Sequence, residues 1–363
     1  MIKSLVVKGL WGRYDYDLQF NEDVNIFTGS NGTGKTTLLK LLWYVYSGNY
    51  EQLATEITFK KLVIVNDTNT IEIDRSQVES RDEFGVLIEQ VIRITSTNIL
   101  NQKSISFETT DKRGRIKASF ERFLKKYVGA SYFFPTFRRL EGGFSLQEST
   151  DLINALADLT TRMSKDKHRF ISSSNSEDIK ALINEISSDI RLKQEVINAE
   201  FMSFVSQNVT GSQLPRFTKE LRKKVEEKEN AEALVKEPID NLSKYIDQFF
   251  WEKSVKISDN FKLGSHENEI SIENLSAGEK NLLSFLVYAT SLKEGIMFID
   301  EPELNLHIEW QRDLVATLQD IAPNVQFFMA SHSPGIYAGY PDKAPWFDEL
   351  VKSPKPEKSA VVA

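Results

Sequence analysis

The sequence predicts an α/β fold with a mixed sheet core and a helical insertion. Three observations predict it. A Gly-rich turn, GSNGTGKT at 29–36, links a short apolar strand to an apolar helix. Two apolar strand-length runs, the wholly apolar 296–299 and 325–330, flank a helix-length segment, as strands buried on both faces of a parallel sheet do, although the second carries Gln326. Between these halves, residues 146–252 lose strand patterning and become charged and helix-favouring.

Residues 2–7 are β-branched and apolar, residues 14–20 alternate Tyr, Tyr, Leu and Phe with polar residues, and residues 24–27 form the short strand that enters the turn. Residues 36–46 place Leu38, Leu39, Leu41, Leu42 and Val45 as a buried helix does. Residues 60–65 and 70–74, joined by Asn-Asp-Thr-Asn, read as a hairpin. The stretch 111–127 reads as a basic helix, and 130–134 as a strand running into the loop PTFRRLEGGF. Within the insertion, 171–178 is a Ser-rich loop and 217–230 carries mixed charges at helical spacing. Strands return at 255–263 and 269–272, followed by a helix at 278–293, the strand 296–299, a helix at 306–321 and the strand 325–330. The expected organisation is a core in two halves, 1–145 and 253–352, an inserted arm at 146–252, and a flexible tail at 353–363.

Composition bounds the function. The chain has 363 residues, 23 Phe and 11 Tyr, which is enough for a sizeable core and excludes wholesale disorder. A balance of 45 Lys+Arg against 52 Asp+Glu, net −7, excludes a surface that is basic all over. The lack of cysteine excludes disulfides, thiolate zinc sites and a Cys nucleophile, and fits a cytoplasmic location. The N-terminus reads as a strand rather than a signal peptide, and the longest apolar stretches fall short of the ~20 residues of a membrane span, so no membrane partner is expected.

Four motifs carry chemistry. In GSNGTGKT, the expected ATP-binding set is Asn31, Gly32, Thr33, Gly34, Lys35, Thr36 and Thr37. The glycines let backbone N–H groups curl around phosphates at a helix N-terminus, Lys35 reaches the β- and γ-phosphates, and the Thr36 hydroxyl suits Mg2+. In GIMFIDEPELNLH (295–307), an apolar strand ends in Asp300, placed to hold Mg2+ through water, and Glu301, placed to poise the attacking water. In ENLSAGEK (273–280), Ser276 and Gly278 open a helix and form a candidate anion site; Ser276-x-x-Glu279 equally reads as an ordinary capping box. In FFMASHSP (327–334), His332 ends a buried strand and is a candidate γ-phosphate partner, a structural histidine being the alternative. One strand–helix–strand unit separates it from Asp300, so the two strands should be parallel neighbours.

These motifs occur in the order of the ABC-type ATPases: phosphate loop, signature, DE strand, switch histidine. With LSAGE as the signature, EPELNLH after the strand and SHSP at the histidine, the chain resembles the SMC/RecF-like and OLD-like ATPases more than transporter subunits. FFPTFRRLEGGF also resembles ATPase subunits of anti-phage systems of the Septu, PARIS and OLD-like type. The resemblance implies a P-loop NTPase that hydrolyses ATP in a head-to-tail homodimer or higher even oligomer, each signature closing over the partner's nucleotide. It implies a Q-loop residue, with Gln147 or Arg138 and Arg139 as candidates, and a responsive basic residue at Arg13, where a solvated loop arginine is the stronger reading. An arm of ~75 Å at most is too short for an SMC coiled coil. The 31 residues after His332 leave no room for the nuclease domain of OLD-family proteins, so a separate effector, a nuclease or toxin, is expected. Lys112, Arg113, Arg115, Lys117, Arg122, Lys125 and Lys126 form a basic patch, either solvated or contacting nucleic acid. The alternatives are a RecF/SMC-like repair or replication ATPase and, less favoured, a transporter subunit.

Overall fold

In chain order the strands and helices begin with β1 (Ile2–Leu10), β2 (Tyr14–Gln19), β3 (Val24–Phe27), α1 (Lys35–Ser47), α2 (Tyr50–Glu56), β4 (Lys61–Asn66), β5 (Asn69–Asp82), β6 (Gly85–Asn98), β7 (Ser104–Thr110), β8 (Ala130–Phe134) and β9 (His168–Phe170). They continue with α3 (Ser176–Asn208), α4 (Leu214–Phe249), β10 (Leu263–Ser265), β11 (Asn268–Ile270), α5 (Ala277–Ser291), β12 (Gly295–Asp300), α6 (Ile308–Ile321), β13 (Val325–Ala330), α7 (Pro334–Tyr337) and α8 (Phe347–Leu350). This computed structural model describes residues 1–82, 85–110, 129–136, 168–171, 176–208, 214–250, 263–265 and 268–350. Gln147, Arg138, Arg139, the basic helix at 112–126 and the tail at 353–363 lie outside the described residues, as do most of the PTFRRLEGGF loop and of the 255–263 strand.

The chain divides into two units. The first comprises Met1–Ser172, Glu294–Leu304 and Asn324–Ala363. The expected mixture of strand directions is present here, divided between two sheets. One is antiparallel, in the order β2-β1-β4-β5-β6-β7, and the other is parallel, in the order β3-β13-β12-β8-β9. The apolar runs become β12 and β13, buried at every residue and paired in parallel, as the crossover argument expects. Helix α1 is apolar on nearly every side, because Leu38, Leu39, Leu41, Leu42 and Trp43 share one core with residues of both sheets. A buried side chain ties the sheets together: Gln326 on β13 accepts from Ile2 N–H at 2.7 Å and donates to Ile2 O at 2.8 Å and Asn21 O at 2.7 Å.

The parallel order has one consequence for the site. β3, β13 and β12 are neighbours, with Phe27 opposite Ala330 and Ala330 opposite Asp300. The segments that follow them therefore leave the sheet side by side at its C-terminal edge, where open α/β sheets bind ligands.

The second unit comprises Ser173–Lys293 and Asn305–Pro323. Helices α3 and α4, of 33 and 36 residues, pack against each other. Near the turn between them Phe204 stacks on Phe217, with ring centroids 6.5 Å apart. At the other end Tyr245 donates to Asp320, Phe250 packs on Trp310 at 5.7 Å, and Lys180 bonds Glu273. The boundary expected at 252/253 thus differs from the packing boundary: α5 and α6, read as part of the core's C-terminal half, group with the insertion helices.

Candidate functional site

The phosphate loop leaves β3 and enters α1 through Gly32 (φ 83°) and Gly34 (φ 87°), a left-handed conformation in which side chains with a Cβ are strained. Gly34 is the N-cap of α1 and supplies no side-chain cap, so the first N–H groups of the helix are left for an anion. Tyr16 on β2 supports the loop from below by donating its hydroxyl to Thr33 O. Burial pushes the Tyr16 phenol up to about 12, so it stays a donor. Asn31, Gly32 and Thr36 are exposed, Thr33 and Thr37 half-buried. Lys35 is only 5% exposed, and its Nζ donates to Gly29 O at 2.9 Å and Ser30 O at 2.8 Å. Burial pulls the Lys35 amine below the usual lysine range, opposed by Asp348 first, then Asp300, Glu301 and Glu303. The desolvated amine would gain from a phosphate chain beside it, whereas the nearby carboxylates would oppose that chain unless a cation offsets them.

Asp300 meets this loop directly. It is 4% exposed; its Oδ1 accepts from Thr36 Oγ1 at 2.9 Å and its Oδ2 from Thr136 Oγ1 at 2.6 Å. Hydroxyl and carboxylate oxygens converging beside a phosphate loop are the hard donors that Mg2+ takes, so the residues present fit that ion. Thr136 lies in none of the four motifs and ahead of Arg138, Arg139 and Gln147, the residues expected after this strand. The usable signal was its place, two residues beyond the strand that pairs with β12.

Glu301 has φ 50°, a strained value for a residue that is not glycine. Its N–H donates to Ala330 O at 2.8 Å, and Leu304 N–H donates to its carbonyl at 3.1 Å. His332 is exposed just beyond β13, in a segment whose backbone is bonded by Glu303. A further carboxylate comes from α8: Asp348 Oδ2 accepts Ser30 N–H at 2.8 Å. This bond and the nearby Lys35 hold the Asp348 carboxyl below the usual range. Nothing in the sequence around Asp348 signals this contact.

Ser276 and Gly278 lie in the second unit, at the start of α5. The capping box is formed: Ser276 Oγ accepts Glu279 N–H at 3.3 Å, and Glu279 Oε2 accepts Ser276 N–H at 2.7 Å. The exposed hydroxyl keeps its own proton to donate, so both expected roles are compatible. Gly278 is explained by close approach, since a Cβ there would lie 2.1 Å from Asn305 O.

The chain belongs to the AAA ATPase domain family, which matches residues 1–337, and is therefore a nucleotide-binding P-loop protein. Its relatives include the retron Vc95 probable ATPase of Vibrio cholerae serotype O1 biovar El Tor, 24% identical over 376 residues, covering 88% of this chain and 69% of the relative. The Septu protein PtuA of Bacillus thuringiensis is 21% identical over 367 residues, covering 92% of this chain and 72% of the relative. Among solved structures, an Smc head bound to the C-winged helix domain of ScpA aligns over 98% of each chain, with 14% identity and a TM-score of 0.41. Among the described residues, no helix is long and apolar enough to cross a membrane.

Proposed function

We propose that this chain hydrolyses ATP to ADP and phosphate in an anti-phage defence complex, as a nucleotide-dependent homodimer or higher even oligomer that holds and releases a separate nuclease or toxin. The observation that carries the chemistry is the meeting of Thr36 and Asp300 at 2.9 Å beside buried Lys35. The retron and Septu relatives support the setting. In this reading the N–H groups of Asn31 to Thr37 and the Lys35 amine cradle the phosphates. Bound Mg2+, held by Thr36 and Asp300, would supply positive charge against the β- and γ-phosphates. Glu301 orients the water for in-line attack, and His332 donates to the γ-phosphate. Ser276 and the first turn of α5 serve the partner's nucleotide, so loss of the γ-phosphate loosens the dimer and changes its hold on the effector.

The test is a phage challenge of cells carrying this gene with its neighbouring genes, run beside ATP hydrolysis by the purified chain. Lys35→Ala and Glu301→Gln should each abolish protection and turnover. Full protection by both variants would overturn the proposed role, and turnover equal to wild type in Glu301→Gln would overturn the proposed chemistry.

A further inference from the structure

A single carboxylate joins the end of the acid strand to the histidine segment. After Asp300 the chain turns through Glu301, and the Glu303 side chain faces the residues that follow β13. Its Oε1 accepts His332 N–H at 2.7 Å and Ser333 N–H at 3.1 Å, and its Oε2 accepts Ser331 Oγ at 3.0 Å. Three consecutive residues, Ser331 to Ser333, are thus bonded to one side chain by charge-assisted hydrogen bonds, the stronger class. Ser331 is fully buried, and Ser333 accepts Gly335 N–H at 3.1 Å at the start of α7. The His332 backbone cannot turn without breaking these bonds together. Glu303 sits two residues beyond Glu301, whose own N–H is anchored to Ala330, the residue before Ser331.

We infer that Glu303 is the positioning residue for His332, fixing the backbone from which the imidazole projects against the turn that carries Glu301 at the edge of the sheet. This rests on the reading that His332 meets the γ-phosphate. Glu303 touches no substrate atom in this role and acts through the histidine. Ala at this position removes both carboxylate oxygens and with them all three bonds, so the segment loses its anchor, whereas Gln would keep an oxygen for the two N–H groups and an amide N–H that the Ser331 hydroxyl can accept.

The test is a double-mutant cycle on ATP turnover in the full chain, using Glu303→Ala, His332→Ala and the pair. The expected result is a loss of about 10- to 100-fold in kcat for Glu303→Ala, since a misplaced catalytic group costs that much, with KM nearly unchanged, and Glu303→Gln should recover much of it. In the His332→Ala background Glu303→Ala should cost nothing further, because the residue that Glu303 positions is gone. Ser331→Ala removes one of the three bonds with little threat to folding; it should lower kcat by about two- to fivefold, and only when His332 is present. Losses that multiply across the cycle, or a matching loss of nucleotide affinity, would mean a general structural role and overturn the inference. Wild-type turnover in Glu303→Ala beside a defective His332→Ala overturns the inference alone. Wild-type turnover in His332→Ala overturns the role given to the histidine, and the inference with it.

Discussion

Replacing Gly278 by Ala separates two explanations for a glycine in the LSAGE segment. The residue is helical and buried, with no left-handed φ to explain it. The structural reason is space: an added Cβ would lie 2.1 Å from Asn305 O and 3.2 Å from Asn305 C. That is about 1 Å inside an ordinary carbon–oxygen contact, and the obstacle is backbone. Asn305, at φ 64°, is itself in a constrained conformation and yields poorly. Overpacking of this kind costs ~1–3 kcal/mol. For a unit of this size each kcal/mol lowers Tm by about 2–4 °C, so a drop of about 4–8 °C is the central expectation. Thermal unfolding of the nucleotide-free protein reads it, with Gly339→Ala as the control, because nothing lies within 4 Å of a Cβ there. The control should melt at or slightly above wild type. A Gly278→Ala protein that melts with the control would refute the steric account and leave recognition of the partner's nucleotide as the reason for the glycine. The clash also makes Gly278→Asp a poor probe of a shared site, since any side chain distorts its own subunit.

Ser276→Ala is the better probe. Mixed with Lys35→Ala subunits it should regain hydrolysis through one intact site per heterodimer, and a mixture no more active than either variant would refute a composite site that works singly. Glu301→Gln should lower turnover by roughly 10²–10⁴ while ATP binding survives, whereas Lys35→Ala should weaken binding itself; equilibrium binding measured beside hydrolysis separates the two. Asp348→Asn keeps an acceptor for Ser30 N–H but removes a negative charge near Lys35, so ATP should bind about two- to fivefold tighter at low salt, the gain shrinking as salt rises. Asp348 has its pKa depressed in the fold. Any stability from its bond to the loop is therefore present above the unfolded carboxyl pKa and fades only as the pH falls through the lower folded value, which NMR titration of the carboxyl would follow. Replacing only 187–238 by a Gly/Ser linker should spare ATP binding and abolish effector capture, because Ile179, Ile183, Leu242 and Ile246 at the helix bases are buried whereas Leu192, Met202 and Leu234 are exposed. A pull-down in which the trimmed chain keeps its effector would move the docking surface elsewhere.

The sequence by itself determined the elements whose chemistry is local. Gly32, Gly34, Lys35 and Thr36 are legible together because a phosphate-binding turn needs its left-handed residues, its cation and its helix start within eight positions. The β12 and β13 strands are legible because burial on both faces demands apolar runs, broken in β13 only by the hydrogen-bonded Gln326, and their adjacency because strand–helix–strand crossovers have one hand. In β6 a period-two signal survives at Ile92 and Ile94, buried like Ile71 and Ile73 on β5, whereas β7 shows Ser104, Ile105 and Ser106 all exposed and offers no such pattern. Only the tertiary structure decided which distant polar groups meet. Thr36 and Asp300 are separated by 264 residues, Thr136 and Asp300 by 164, and Ser30 and Asp348 by 318. Such a bond leaves no local trace, because neither partner's neighbours must have any particular periodicity for it to form; it depends on the strand order and register that the apolar core selects. The motifs therefore name the chemistry, while Thr136, Glu303 and Asp348, which arrange it, become visible only when the chain has closed on itself.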